Sequence, residues 1–201
     1  MILYVKGSKT VDICLVGYGT LLYTQSLGAT IGQETAQAVQ VVPVIVRDYR
    51  RLFNLRPDTY KPSLFLTQEP IEAAAMNIEP APGLHFNALA FPVAPEQLKA
   101  LDKREAYYDR LIVPLYSFDT QELIGEGHVY MSPLDARWIN RDPKTLLPRL
   151  RDIVWARTGA YNINHAFGQM YDRTTYMADG KTLVLDFYGE RLNNYTEDDL
   201  R

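Results

Sequence analysis

Short runs of apolar residues, separated by polar turns, recur along this chain of 201 residues. Runs rich in β-branched and aromatic side chains and bounded by turn residues are typical of strands. The pattern predicts strands at residues 12–16, 39–46, 73–78, 87–93, 110–117, 125–131 and 182–188. Strands therefore outnumber helices in the predicted fold.

Helical periodicity is found in fewer segments. Residues 94–102 begin with Ala94-Pro95 and then place leucines at helical spacing, which predicts an amphipathic helix. Two further helices are predicted at residues 144–158 and 160–171. Because strands and helices do not alternate regularly, the pattern favours an α+β fold with a mixed or closed sheet.

Two segments lack periodicity. Residues 54–72 contain three prolines and are interpreted as a loop or a lid-like excursion. Residues 193–201 are interpreted as a polar tail. We expect both to lie outside the predicted core.

Composition narrows the function classes. With 47% hydrophobic residues, the chain can form one domain with a sizeable core, or one domain with an extension. The net charge of -3 argues against a nucleic-acid binder. No apolar run is long enough for a transmembrane helix, and the N-terminus does not resemble a secretory signal, so neither is expected.

Cysteine and histidine usage argues against disulfides and metals. The single Cys14 excludes an intrachain disulfide and a multi-cysteine zinc site. The three histidines, His85, His128 and His165, do not have metal-ligand spacing. A reducing cytoplasm is therefore the predicted setting.

The first candidate site follows the first strand. An apolar run breaks into Gly17-Tyr18-Gly19-Thr20 and resumes at Leu21. Glycines allow close approach to a ligand, and successive N–H groups in such a turn form an anion-binding nest. The phosphate-loop patterns GxxxxGK[ST] and GxGxxG are absent, so a carboxylate is a better candidate ligand than a nucleotide. The alternative is a plain tight turn.

Glu105 is the candidate catalytic carboxylate. It follows the predicted helix 94–102 and precedes Tyr107 and Tyr108. Partial desolvation at such a junction raises the pKa of a carboxyl group and makes it a better base. The alternative is an exposed glutamate paired with Lys103 or Arg104 at a helix end.

Arg51 lies between aromatic residues on one predicted strand face, with Tyr49 and Phe53 as its neighbours on that face. An arginine in this setting is usually structural. It stacks on rings or pairs with a carboxylate.

Four motifs occur in order and together resemble the γ-glutamylcyclotransferase-like family. The loop 17–22 is similar to the family's YGSL or YGSN loop, and Arg51-Leu52-Phe53-Asn54 is similar to its Arg-x-Phe-Asn strand end. The third motif consists of residues 75–80 followed by residues 86–93. Residues 98–108 are similar to the signature Leu-Asp-x-Arg-Glu-x-x-Tyr. The resemblance covers roughly residues 12–132.

The resemblance implies a fold and a reaction. The fold is a small mixed β-barrel flanked by helices over residues 1–132, with a helical and strand extension, 133–201, packed on the same domain. In the reaction, the α-amine of a γ-glutamyl group attacks its own γ-carbonyl, 5-oxoproline forms, and an amine or amino acid leaves. No metal, nucleotide or redox cofactor is implied. The implied partner is a small γ-glutamyl substrate, with no nucleic acid and no membrane.

The resemblance also implies roles for individual residues. Glu105 is the acid/base, and the substrate's α-carboxylate is held by Gly17, Tyr18, Gly19, Thr20 and Leu21. Tyr108 and Tyr130 bracket the γ-glutamyl group. Thr20 stands where the family usually has Ser or Asn, and it retains a hydroxyl.

Two alternatives stay open from the sequence. The chain is either a cyclising enzyme or a non-catalytic small-carboxylate-binding or interaction module on the same fold. The identity of the leaving amine and the oligomeric state are also open.

Overall fold

The computed structural model describes residues 13–59, 71–134 and 137–194. The strands are β1 (Ile13–Gly17), β2 (Val42–Leu55), β3 (Glu72–Val93), β4 (Asp109–Ser117), β5 (Leu123–Met131), β6 (Leu146–Pro148) and β7 (Thr175–Tyr176). The helices are α1 (Thr24–Ile31), α2 (Gln33–Ala38), α3 (Pro95–Arg104), α4 (Leu150–Ile163), α5 (His165–Arg173) and α6 (Val184–Tyr188). Short 3-10 helices span Thr20–Leu22 and Gly189–Asn194.

The strands form one mixed sheet in the order β6-β3-β1-β5-β4-β2-β7, and β3 also pairs with β2. The pairs β1–β5, β2–β7 and β3–β6 are parallel, and the others are antiparallel. The predicted α+β class, with a mixed sheet and flanking helices, is confirmed. Closure into a barrel and the domain boundary after residue 132 stay predictions.

One strand replaces two predicted ones. The strands expected at 73–78 and 87–93 are parts of the 22-residue β3, which pairs with β2 along most of its length. The intervening turn residues are accommodated by a register shift near Asp48 and Gly83, both at positive φ. The Gly83 N–H donates to the Asp48 side chain over 2.9 Å, which stabilises this irregularity.

The C-terminal predictions need correction. The helix expected at 144–158 begins only at Leu150, because Pro148 favours extended backbone before it and β6 pairs there with β3. The helix expected at 160–171 begins at His165, after Asn164, whose side chain caps it by accepting the Phe167 N–H.

The strand expected at 182–188 is wrong, because Val184–Tyr188 is α6. Short apolar runs fit both structures, and here one isolated bridge, Tyr176 to Leu183, is the only strand-like pairing among the described residues of this run. Of the predicted loop 54–72, the first two residues end β2, and 60–70 lie outside the described residues. Most of the predicted tail, 195–201, also lies outside them.

Two buried clusters position the helices. The larger joins the sheet, through Phe53 and Phe86, to Ile153 of α4 and to Phe167 and Tyr171 of α5. The smaller packs α3 against the sheet by placing Leu98 and Leu101 with Leu15 and Phe91. The C-terminal helices and α3 are therefore both fixed on the sheet. None of the described helices has the length and apolar character needed to cross a membrane.

Arg51 of β2 is fully buried. Its guanidinium donates to the backbone carbonyls of Tyr18, Asn87 and Tyr171 over 3.2, 2.8 and 3.2 Å, and to the hydroxyls of Thr174 and Thr175 over 3.1 and 3.0 Å.

Arg51 also stacks on aromatic rings, as the sequence predicts. Its Cζ lies 4.0 Å from the centre of the Tyr171 ring and 5.5 Å from that of Phe86. Burial lowers the pKa of Arg51 to about 10, so it is cationic at neutral pH. It thus joins the loop after β1 to β3, α5 and β7.

Replacing Arg51 by Met should destabilise the protein strongly. The substitution leaves several buried carbonyls without donors, and each such group costs about 1–3 kcal/mol. We expect a loss of at least about 3 kcal/mol in the free energy of unfolding, measured by chemical denaturation. The control is Arg47→Met on the same strand, where the side chain is exposed and the expected loss is under about 1 kcal/mol. Equal losses in the two variants would contradict the role of Arg51.

Candidate functional site

A cavity of ≈ 170 Å³ lies where the loop after β1, the end of α3 and β5 meet. Of the eight residues predicted to form the site, all but Gly17 line it: Tyr18, Gly19, Thr20, Leu21, Glu105, Tyr108 and Tyr130. Gly17 is the last residue of β1, and a Cβ there would lie 2.9 Å from Leu21 Cβ. The structure thus brings together residues that are more than eighty positions apart.

The loop after β1 becomes a 3-10 helix at Thr20. Its turn is closed by the N–H of Leu22, which donates to Gly19 O over 2.9 Å, and by the N–H of Tyr23, which donates to Thr20 O over 3.1 Å. N–H groups at the start of a helix have no acceptor within that helix. Gly19, Thr20 and Leu21, three of the five residues of the predicted nest Gly17–Leu21, lie at this helix start.

Glu105 caps the C-terminal end of α3. Its backbone N–H donates to Leu101 O over 2.8 Å, and its carbonyl accepts the Tyr108 N–H over 2.9 Å. These bonds place the side chain at the cavity, where 18% of it is exposed. Burial raises the pKa of the Glu105 carboxyl, while the Arg104 charge opposes that rise.

The structure combines the two interpretations of Glu105. The carboxylate does pair with Arg104, whose Nε lies 3.1 Å from Glu105 Oε1. It is nevertheless a mostly buried cavity residue rather than a solvated one.

Three tyrosines of the cavity are held by hydrogen bonds. The Tyr18 hydroxyl donates to Tyr130 O over 2.7 Å, and the Tyr108 hydroxyl donates to Met76 O over 2.6 Å. The Tyr130 hydroxyl donates to Asp102 Oδ1 over 2.7 Å, so that hydroxyl bonds to α3. The bond to Met76 fixes the Tyr108 hydroxyl at the wall of the cavity.

The cavity favours neutral phenols. Burial, and after it the Glu105 charge, raise the pKa of Tyr18. Burial, the bond to Asp102 and the charges of Asp102 and Glu105 raise the pKa of Tyr130. Glu105 therefore titrates beside two tyrosines, Tyr18 and Tyr130, whose raised pKa values keep them protonated.

Sequence reasoning missed Asp152 as a cavity residue. It lies in the first turn of α4 and is 6% exposed. Arg149 binds it with two hydrogen bonds, Nε to Oδ2 over 2.7 Å and Nη2 to Oδ1 over 3.0 Å. Burial raises the pKa of Asp152, and the charges of nearby arginines oppose this. An acidic residue near a helix start gives no signal of a site, because it favours the helix dipole anyway.

The start of the predicted lid segment also reaches the site. Pro57 and Thr59 line the cavity. The Tyr107 hydroxyl hydrogen-bonds the carboxylate of Asp58, and the Tyr107 ring packs edge-on against Trp138, with ring centres 5.7 Å apart. Among the described residues, no group of three or more His, Cys, Asp or Glu side chains could hold a metal ion.

Neither protein-family models nor curated proteins match the chain by sequence. Solved structures match it by fold. An uncharacterized protein from Homo sapiens has a TM-score of 0.59 at 13% identity, over 80% of this chain and 86% of that one. A γ-glutamyl cyclotransferase has a TM-score of 0.58 at 12% identity, with the same coverage.

A yeast γ-glutamyl cyclotransferase specific to glutathione has a TM-score of 0.53 at 11% identity, over 94% of this chain and 99% of that one. At such identities the likeness concerns the fold alone. The chain therefore has the mixed sheet and flanking helices of the γ-glutamyl cyclotransferase fold.

Helix α4 approaches the loop after β1 at Gly159. A Cβ on Gly159 would lie 2.4 Å from Leu22 O and 2.8 Å from Tyr23 N. These are backbone atoms of the turn that carries Thr20 and Leu21, so they cannot move without moving the site. Glycine at this position lets the extension pack directly behind the loop.

Gly159→Ala should therefore strain the loop and destabilise the protein. Overpacking of this kind costs about 1–3 kcal/mol. The matched control is Gly28→Ala in α1, where the side chain of Gln33, rather than backbone, would meet the added methyl group. Thermal unfolding should show a lower Tm for Gly159→Ala and little change for Gly28→Ala. Similar Tm values for both would contradict close packing at Gly159.

Proposed function

We propose that the chain is a γ-glutamylcyclotransferase-type enzyme that converts a γ-glutamyl amide into 5-oxoproline and a free amine. The observation that carries this proposal is a cavity that Glu105 lines together with the turn Gly19–Leu21 and Tyr108. The shared fold with γ-glutamyl cyclotransferases supports it.

The loop and Tyr108 orient the substrate in this proposal. The amides of Gly19, Thr20 and Leu21 bind its α-carboxylate by charge-assisted hydrogen bonds. The Tyr108 hydroxyl contacts the γ-glutamyl group. Holding the amine against the γ-carbonyl carbon in this way can contribute roughly 7–11 kcal/mol toward the barrier.

Glu105 moves the proton. The α-amine, with a pKa of about 8, is mostly protonated at neutral pH and cannot attack in that form. The Glu105 carboxylate takes the proton, and the freed nitrogen attacks the γ-carbonyl carbon. Glu105 returns that proton to the amide nitrogen as the C–N bond breaks, and then carries the second proton lost by the ring nitrogen to the released amine, which leaves as an ammonium ion. Atoms balance without water, and the nucleophile comes from the substrate.

The proposal is tested by incubating the protein with γ-glutamyl-alanine, a γ-glutamylamine and glutathione, and measuring 5-oxoproline by mass spectrometry. We expect product from at least one of the three. Binding of 5-oxoproline or another small carboxylate by calorimetry, with no turnover of any substrate, would instead support the non-catalytic binding module.

Glu105→Gln should lower kcat by at least about 100-fold, because the amide cannot accept the ammonium proton. The matched control is Glu96→Gln, an exposed glutamate on the same helix, which should keep wild-type kcat. Circular dichroism and Tm show that both variants fold. Wild-type kcat in Glu105→Gln would rule out the acid/base role.

The dependence of kcat/KM on pH should reflect the titration of a buried carboxyl group. Glu105 is active as a carboxylate, and its pKa is raised, so kcat/KM should fall as pH drops through a value above the usual pKa of glutamate, about 4.3. Measurement of kcat/KM between about pH 4 and 8 gives this acidic limb. A limb at the ordinary glutamate value would contradict the buried setting.

A further inference from the structure

Arg104 contacts both the loop after β1 and Glu105, which line the same cavity. It is the last residue of α3, it precedes Glu105, and its side chain is 26% exposed. One terminal nitrogen, Nη2, donates to Thr20 Oγ1 over 3.0 Å and to Ser26 Oγ over 3.1 Å. The other, Nη1, donates to Ser26 O and to Thr30 Oγ1, both over 2.9 Å.

These bonds occupy the four N–H groups of the two terminal nitrogens. The remaining nitrogen, Nε, lies 3.1 Å from Glu105 Oε1. The donors of the two terminal nitrogens are therefore directed at the loop and α1, and Nε lies beside Glu105, while Arg104 lines the cavity. Its contacts are with the loop, α1 and the candidate acid/base.

We propose that Arg104 is a positioning residue that holds the Thr20 turn and the Glu105 carboxylate in one fixed geometry and favours the charged form of that carboxylate. This inference rests on the proposed function of Glu105. It also assigns a purpose to Thr20, whose hydroxyl is the acceptor through which Arg104 reaches the loop.

The charged and titratable groups around Glu105 determine how its pKa responds to the loss of Arg104. Arg104 on α3 is the cation among them, while Tyr18 of the loop and Tyr130 of β5 interact electrostatically with Glu105. Asp152 of α4 lines the same cavity and interacts with Arg104. Since the tyrosines are neutral and Asp152 is an acid, removal of Arg104 leaves no cation to oppose protonation of Glu105 among these groups.

The Arg104 charge lowers the pKa of Glu105 against the effect of burial, so its loss raises that pKa further. Arg104→Gln should therefore move the acidic limb of kcat/KM to higher pH. Arg104→Lys keeps the charge but loses the fork, so it should leave the limb near its wild-type position while lowering kcat through poorer positioning.

The control for net charge is Lys103→Gln. Lys103 is the exposed neighbour of Arg104 in the same turn. Its replacement removes one positive charge without touching the loop or Glu105. The acidic limb and kcat should stay at wild-type values, because charges that are exposed to solvent are screened.

Thr20 variants test whether the hydrogen bond from Arg104 to the Thr20 hydroxyl positions the loop. Thr20→Val keeps the shape but removes the acceptor, whereas Thr20→Ser keeps the hydroxyl. Thr20→Val should lower kcat/KM more than Thr20→Ser does. In a double-mutant cycle, Thr20→Val should have a smaller effect in Arg104→Gln than in the wild type, because the bond is already lost. Strictly additive effects would overturn the proposed link between Thr20 and Arg104.

A readout without turnover separates this inference from the proposed function. The Glu105 carboxyl can be titrated by 13C NMR of glutamate-labelled protein, with Glu105→Gln assigning its signal. A higher Glu105 pKa in Arg104→Gln, but not in Lys103→Gln, supports the inference even if the wild type forms no 5-oxoproline. An unchanged Glu105 pKa in folded Arg104→Gln overturns it even if the wild type is an active cyclotransferase.

Discussion

The site depends on a buried guanidinium whose hydrogen bonds go to neutral oxygens. Removing a cation from water is costly unless its donors are satisfied, and Arg51 meets that condition with three backbone carbonyls and two hydroxyls. One of those carbonyls belongs to Tyr18 in the loop after β1. Others belong to β3 and to the end of α5. Arg51 therefore links the loop directly to the sheet and to the C-terminal segment.

This arrangement makes the C-terminal segment part of the site rather than an appendage. Helix α4 supplies Asp152 to the cavity and, through Gly159, touches the backbone of the 3-10 turn. Helix α5 supplies the Tyr171 carbonyl and ring to Arg51. The cavity is thus closed from one side by residues that follow the region of family resemblance. Differences in that segment would change the cavity while the loop and Glu105 stayed the same.

Periodicity and turn residues predicted those elements whose structure depends mainly on their own sequence. The strand before Gly17, the helix before Glu105 and the α+β class follow from periodicity and turn residues. The continuous β3 could not be predicted in this way, since its turn-like centre is held extended by pairing with β2. The run 182–188 is predicted as a strand, but no neighbouring strand pairs along it in the described chain, and Val184–Tyr188 forms α6 instead. Asp152 was missed because only tertiary packing brings α4 to the cavity.

Arg51 and Arg104 act differently on this site, because one is fully buried and the other is partly exposed beside a carboxyl group. Arg51 is fully enclosed, bonds to groups that do not titrate, and so fixes the backbone of the loop. Arg104 is partly exposed and adjoins a carboxyl group, so its charge also affects proton affinity at Glu105. In the proposed reaction, Glu105 needs both burial and a neighbouring cation. Burial makes it a stronger base, and a neighbouring cation keeps enough of it ionised to act as one.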